Sequence, residues 1–300
     1  MRRWRLVFGL VQLIIGTLLA YPHALQLQAG PVSLGGLKCE YKTNPLGIDV
    51  SQPRLSWQVV SSERGWLQNA YQIRVAQSPA ALNQGAELIW DSGKVASPES
   101  VHRAYAGPGL QSGKRYYWQV RIWDAQDRLS AWSEAAWWEM GLLTPSDWQA
   151  SWIEPNINED TTKSNPSPML RREFEVRSEV KSARAYVTSH GLYEMYLNGK
   201  RVGDEVLTPG WTSYDDHIQY QTYDITAQVQ KGKNAVGVIL GDGWYRGNLA
   251  FSGQRNTYGD RLALLAQILL TYADGSSQVI GSDQNWKAAT GPILMSDIYN

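Results

Sequence analysis

Tyr116-Tyr117-Trp118-Gln119-Val120-Arg121-Ile122-Trp123 is a run whose reading decides the fold. Successive side chains on an extended strand point to opposite faces. Tyr116, Trp118, Val120 and Ile122 therefore share one face, which reads as core. Tyr117, Gln119, Arg121 and Trp123 share the other. Working outward, similar short runs recur, bounded by Gly, Pro, Asn, Asp and Ser. They are Arg54–Val59, Ala70–Ala76, Arg115–Trp123, Ala136–Met140, Leu170–Val176, Ala183–Thr188, Tyr193–Leu197, Gln219–Asp224, Ala235–Leu240 and Leu262–Tyr272. Short strands punctuated by turn signals predict an all-β architecture of sandwiches or barrels. No long stretch after residue 30 keeps a helical period. Leu262–Tyr272 is the most continuously apolar run and is expected to be buried on both faces.

Length and composition narrow the function classes. Three hundred residues suit about two domains. With 28 basic and 28 acidic side chains the formal charge is zero, which argues against a nucleic-acid partner. A single cysteine, Cys39, excludes an intrachain disulfide and a multi-Cys zinc site, and it is expected to be buried. His23, His102, His190 and His217 have no metal-binding spacing, and no HExxH, P-loop or GxSxG motif is present. The 14 Trp and 16 Tyr far outnumber the 3 Phe. These rings join a flat apolar face to a polar handle, which suits sheets, interfaces and sugar stacking.

The amino terminus opens on Met1-Arg2-Arg3-Trp4-Arg5, followed by an apolar run from Leu6 to Tyr21 and small residues at Ala20, Ala24 and Ala29. That order reads as a signal peptide over residues 1–24. The run is shorter than the roughly 20 residues of a membrane-spanning helix, so no span is expected in the mature form. The expected location is secreted or periplasmic. A turn-rich, polar seam from Leu142 to Pro168 divides the rest into 31–143 and 148–300. Trp148 and Trp152 are placed to anchor the second part.

In the first part, the run around Trp118 is followed by Ser130-Ala131-Trp132-Ser133 and Trp137-Trp138-Glu139. This resembles the last strands of a fibronectin type III or immunoglobulin-like sandwich, in which a Trp stacks against Arg on the neighbouring strand. Pro53-Arg54-Leu55-Ser56-Trp57 resembles its second strand, with Trp57 as core aromatic. Core and Trp/Arg ladder account for these rings better than a sugar platform.

The second part carries three longer motifs. Ser189-His190-Gly191-Leu192-Tyr193-Glu194-Met195-Tyr196-Leu197-Asn198-Gly199-Lys200 is a strand entering a hairpin, with Asn198-Gly199 as the turn signal. Leu207-Thr208-Pro209-Gly210-Trp211-Thr212-Ser213-Tyr214-Asp215-Asp216 and Gly241-Asp242-Gly243-Trp244-Tyr245-Arg246-Gly247 follow. Together they resemble the amino-terminal region of bacterial α-L-rhamnosidases, glycoside hydrolase family 78, over roughly residues 35–300. The resemblance implies a fibronectin-like domain and then a jelly-roll sandwich similar to galactose-binding modules. It also implies a separate (α/α)6 barrel that carries the catalytic carboxylates. No residue here matches those carboxylates, and none is assigned as catalytic. The expectation is an accessory part that lacks the barrel.

Glycoside hydrolysis needs two carboxyl groups roughly 5–9.5 Å apart. Asp215-Asp216 is the nearest to such a pair, and a turn role explains it better. Candidate carbohydrate-binding residues are Trp211, Tyr214, Trp244 and Tyr245 as stacking faces, with Asp215, Asp242, Arg246 and Asn248 to bond hydroxyls. The same Trp, Tyr and Arg suit a docking interface with a catalytic barrel. No cofactor is required, although calcium stays open as an ion for the acidic loops. Three roles remain open. The chain is an accessory part of an α-L-rhamnosidase that meets rhamnose-containing glycosides or polysaccharide, a stand-alone carbohydrate-binding module, or a structural piece that docks on a catalytic chain.

Overall fold

The computed structural model describes residues 32–249 and 253–299. The expected signal peptide lies outside the described residues. Strands β1 (Val32–Cys39), β2 (Arg54–Ser61), β3 (Gln68–Ala76), β4 (Trp90–Asp91), β5 (Val95–Ala96), β6 (Arg103–Ala104), β7 (Arg115–Asp124) and β8 (Ala136–Glu139) come first. They form a sheet β1-β2-β6 and a sheet β4-β3-β7-β8 with β5 also paired to β3. The expected face of β7 is the core face: Tyr116, Trp118, Val120 and Ile122 are all buried. They meet Leu55 and Trp57 from β2 in one hydrophobic cluster, and Trp138 stacks on Tyr116 at 5.6 Å. Cys39 is buried in the same cluster, and burial pushes its thiol up to about 12.

The opposite face of β7 carries the aromatic–cation ladder. The Arg121 guanidinium lies 4.6 Å from the Trp132 ring and 5.3 Å from Trp123, and Arg74 lies 4.6 Å from Trp132 on its other contact. Arg121 Nε also donates to Gln72 Oε1 at 2.8 Å. Arg121→Ala removes two ring contacts and one hydrogen bond. It is expected to lower unfolding free energy by about 1–2 kcal/mol, read by urea denaturation.

The second set is β9 (Pro168–Val176), β10 (Val180–His190), β11 (Leu192–Leu197), β12 (Lys200–Arg201), β13 (Gln221–Asp224), β14 (Gly232–Gly241), β15 (Ala263–Tyr272), β16 (Ser277–Gly281) and β17 (Lys287–Thr290). These form sheets β13-β10-β15-β16 and β12-β11-β14-β9-β17 around a second cluster. Each of the ten runs singled out in the sequence overlaps a strand, with Met140, Gln219, Tyr220 and Leu262 falling just outside. β15 is central, and none of its residues is exposed. The β11–β12 hairpin turns on Asn198 (φ 51°) and Gly199 (φ 78°), the two positive φ values that a type I′ turn needs.

Among the described residues, two short α-helices interrupt the strands. α1 (Pro79–Gln84) is capped by Ser78, whose Oγ accepts from Ala81 N–H at 3.1 Å, and ends on Gly85. α2 (Gly243–Arg246) sits in the third long motif. Trp148 packs edge-on against Tyr186 and Tyr220, as an anchor should. Trp152 differs: it keeps 42% of its surface exposed.

Candidate functional site

The segment between β12 and β13 is fastened to β11 before it reaches Trp211. Tyr193 N–H donates to Thr208 O at 2.9 Å, and Thr208 Oγ1 returns a bond to Tyr193 O at 2.8 Å. Gly210 N–H closes a turn on Leu207 O. Beyond it, Ser213–Asp216 is a turn in which Asp216 accepts from Ser213 Oγ at 2.7 Å. Asp215 and Asp216 are both exposed, and Asp216 serves the turn.

The four aromatic candidates converge. Trp211 and Trp244 stack at 5.7 Å with only 9° between their planes. Trp211 is 50% exposed, and its Nε1–H reaches the Tyr258 hydroxyl at 3.3 Å. Tyr214 is edge-on to Tyr245 at 5.3 Å and to Tyr258 at 5.0 Å. Burial pushes the Tyr214 hydroxyl up to about 12, so it stays neutral and donates to Gly210 O. Burial also raises the Tyr245 hydroxyl, with Asp215 adding to the effect. Behind Tyr245, His190 stacks at 4.8 Å, and Trp152 stacks on His190 at 4.3 Å. Burial lowers the His190 pKa below 6.5, so the stacked imidazole is neutral at pH 7.

The charged candidates sit elsewhere. Asp242 and Arg246 are 0% and 1% exposed, which leaves no side-chain surface for an external ligand. Arg246 pairs with Asp242 at 2.7 Å and with Glu159 at 2.6 Å. Arg255 takes the other Asp242 oxygen at 2.8 Å and Asp297 at 2.7 Å. Ser164 Oγ donates to Asp297 as well, and the Asn248 backbone N–H lies 3.0 Å from Asp297 Oδ1. These groups hold the loop that presents Trp244. Glu159, Ser164, Arg255 and Asp297 carry no motif in the sequence. Their role follows only from the chain folding back across α2.

Among the described residues, no group of three or more His, Cys, Asp or Glu is arranged to hold a metal ion. Both Asp242 oxygens are already bound by arginines, so this acid is not placed to ligate calcium.

Comparison with known proteins gives the class first. Residues 34–144 match the family described as Rha78A-like, N-terminal immunoglobulin domain, and residues 178–300 match the Alpha-L-rhamnosidase N-terminal domain. An α-L-rhamnosidase of Formosa agariphila is 39% identical over 264 residues, covering 86% of this chain and 28% of that protein. The structure of α-L-rhamnosidase from Dictyoglumus thermophilum superposes with TM-score 0.81 at 38% identity, over 89% of this chain and 31% of that one. The Streptomyces avermitilis α-L-rhamnosidase complexed with L-rhamnose superposes with TM-score 0.83 at 28% identity, over 89% and 42%. The chain belongs to the α-L-rhamnosidase family, glycoside hydrolase family 78, through the amino-terminal region of that family. It spans between 28% and 41% of the length of the curated relatives it matches.

Proposed function

We propose that this chain is the amino-terminal accessory part of an exported α-L-rhamnosidase, with limits at 31–143 and 148–300, and that it binds rhamnose-containing saccharide. Hydrolysis of terminal α-L-rhamnosides belongs, in this reading, to a catalytic barrel with which these domains work. Export rests on the basic start Met1–Arg5 and the apolar run Leu6–Tyr21. The observation that carries sugar binding is the parallel Trp211–Trp244 stack, which holds one ring rigid while half of Trp211 stays open. Such a face covers the C–H surface and methyl group of a deoxyhexose, and exposed Asp215 stands ready for hydroxyls.

Calorimetry with L-rhamnose, with and without calcium, tests it. Trp211→Ala is expected to weaken binding about tenfold, or about 1.4 kcal/mol. Absence of heat with the unaltered protein removes the binding role. Heat only with calcium would place an ion at the site.

A second reading, docking on the barrel, is favoured by a separate patch. Leu207 and Ile293, both exposed, line a shallow cavity of about 200 Å³ together with Leu192 and Ile239, and their chain neighbours Val206 and Leu294 are exposed too. Exposed apolar side chains at the rim of an apolar cavity mark an interaction face.

A further inference from the structure

A second cleft lies away from Trp211. It has about 950 Å³ and lies between residues 151–156 and residues 283–288. The first segment is tied to the sheet by Ile153, which exchanges backbone bonds with Leu264 at 2.9 Å each way. The second is fixed by Asp283, which pairs with Arg172 at 2.7 Å and accepts from Asn285 N–H at 2.8 Å. Both walls are therefore held before any ligand arrives.

Each wall carries an indole. Trp152 lines the cleft with a partly exposed ring that is backed by the His190–Tyr245 stack. Trp286 is half-buried, and its Nε1–H is committed to Gly281 O at 3.1 Å, which sets the ring orientation. Around them stand Glu154, Asn156, Asn285 and Lys287. Amides and both signs of charge give hydrogen-bonding partners without a field that selects an ion. Rigid aromatic faces, a few convergent polar groups and this volume are what a small polar ligand with an apolar face needs.

We propose that this cleft binds a neutral saccharide, with Trp152 as the stacking face, Trp286 as the opposite wall, and Glu154, Asn156 and Asn285 as partners of ring hydroxyls. A neutral sugar fits better than a charged one because Asp283 is matched by Arg172, Glu154 faces Arg261 at 3.8 Å, and Lys287 lies close enough to Glu173 to lower its pKa. The cleft shares with the Trp211 reading only the expectation that the protein handles sugars.

The test uses the purified protein labelled with 15N and titrated with L-rhamnose and with the disaccharide L-rhamnosyl-(1→6)-D-glucose. The indole N–H signals of Trp152, Trp286, Trp211 and Trp244 are assigned from single Trp→Phe variants. Saturable shifts of Trp152 and Trp286 are expected. Trp152→Ala should weaken those shifts at least tenfold, Trp152→Phe by only a few-fold, and Trp211→Ala should leave them unchanged. Melting temperature verifies that each variant is folded, and Trp286→Ala gives the same reading from the other wall if Trp152→Ala is not. Saturable shifts confined to Trp211 and Trp244 would overturn this proposal and leave the Trp211 reading standing. No saturable shift with either sugar would overturn both. Unchanged Trp286 affinity in a folded Trp152→Ala protein would remove Trp152 from the site and with it the proposal.

Discussion

Arg246→Ala is expected to lower the melting temperature by roughly 10 °C. Arg246 is 1% exposed, and its guanidinium sits between the carboxylates of Asp242 and Glu159. Removing one member of a buried ionic group costs about 3–5 kcal/mol, because the charge left behind has lost its partner. For a protein of this size each kcal/mol corresponds to about 2–4 °C. Arg255 still holds one oxygen of Asp242, so the loss belongs at the lower half of that range. Arg246→Lys keeps the charge but not the fork, and should fall in between. Scanning calorimetry at pH 7 measures both, and an unchanged melting temperature for Arg246→Ala would show that the network does not hold the loop.

The same network sets an acid limit. Burial alone would raise the Asp297 carboxyl, but the Ser164 hydroxyl and the Arg255 guanidinium outweigh it and hold it below its usual 3.8. A carboxyl depressed in the folded state adds stability above its unfolded value, and that stability is lost as pH falls through the lower folded value. The contribution is therefore intact at neutral pH, starts to fade near pH 3.8 and is gone only below the lower folded value.

What the sequence disclosed follows from the range of the forces involved. Period two needs only neighbouring residues, so the core face of β7 and all ten runs were readable. Asn198-Gly199 declared its turn because few residues tolerate two positive φ values in succession. β4, β5, β6 and β12 are two residues long, too short to show a period. α1 is six residues long, too short to show a helical stripe. At the candidate site the aromatic convergence was legible, because stacking rings occupy motif positions. The ion network was not. Glu159 and Asp297 come from segments 87 and 51 residues away from Arg246 in the chain, and only the fold brings them to α2. Composition could name Arg246 as a ligand-facing donor. Burial decides that it is internal.

Glu139→Ala is expected to loosen the junction between the two sandwiches by about 3 kcal/mol. Glu139 ends β8, is 4% exposed, and receives Arg184 of β10 through two bonds, Nε to Oε1 at 2.5 Å and Nη2 to Oε2 at 3.0 Å. Arg115 adds a bond to the same Oε2 at 3.1 Å while lying 3.8 Å from the Trp137 ring. Beside this pair the chains approach closely: a side chain at Gly141 would meet the Tyr220 hydroxyl at 2.1 Å, and that hydroxyl accepts from Leu142 N–H at 2.8 Å. Without Glu139, Arg184 keeps exposed Asp224 at 3.0 Å as its counter-charge and neutral bonds from Nη1 to Ala183 O and Thr226 Oγ1, so a buried guanidinium is left under-matched. The loss should fall on the contact between the sandwiches rather than on either core, since neither cluster includes Glu139 or Arg184. Calorimetry should therefore show the unaltered protein melting in one transition and Glu139→Ala in two. The double variant Glu139→Ala, Arg184→Met should recover part of the loss, because it removes the stranded charge as well. A single unshifted transition in Glu139→Ala would mean that the Tyr220–Leu142 contact and the linker hold the sandwiches together unaided.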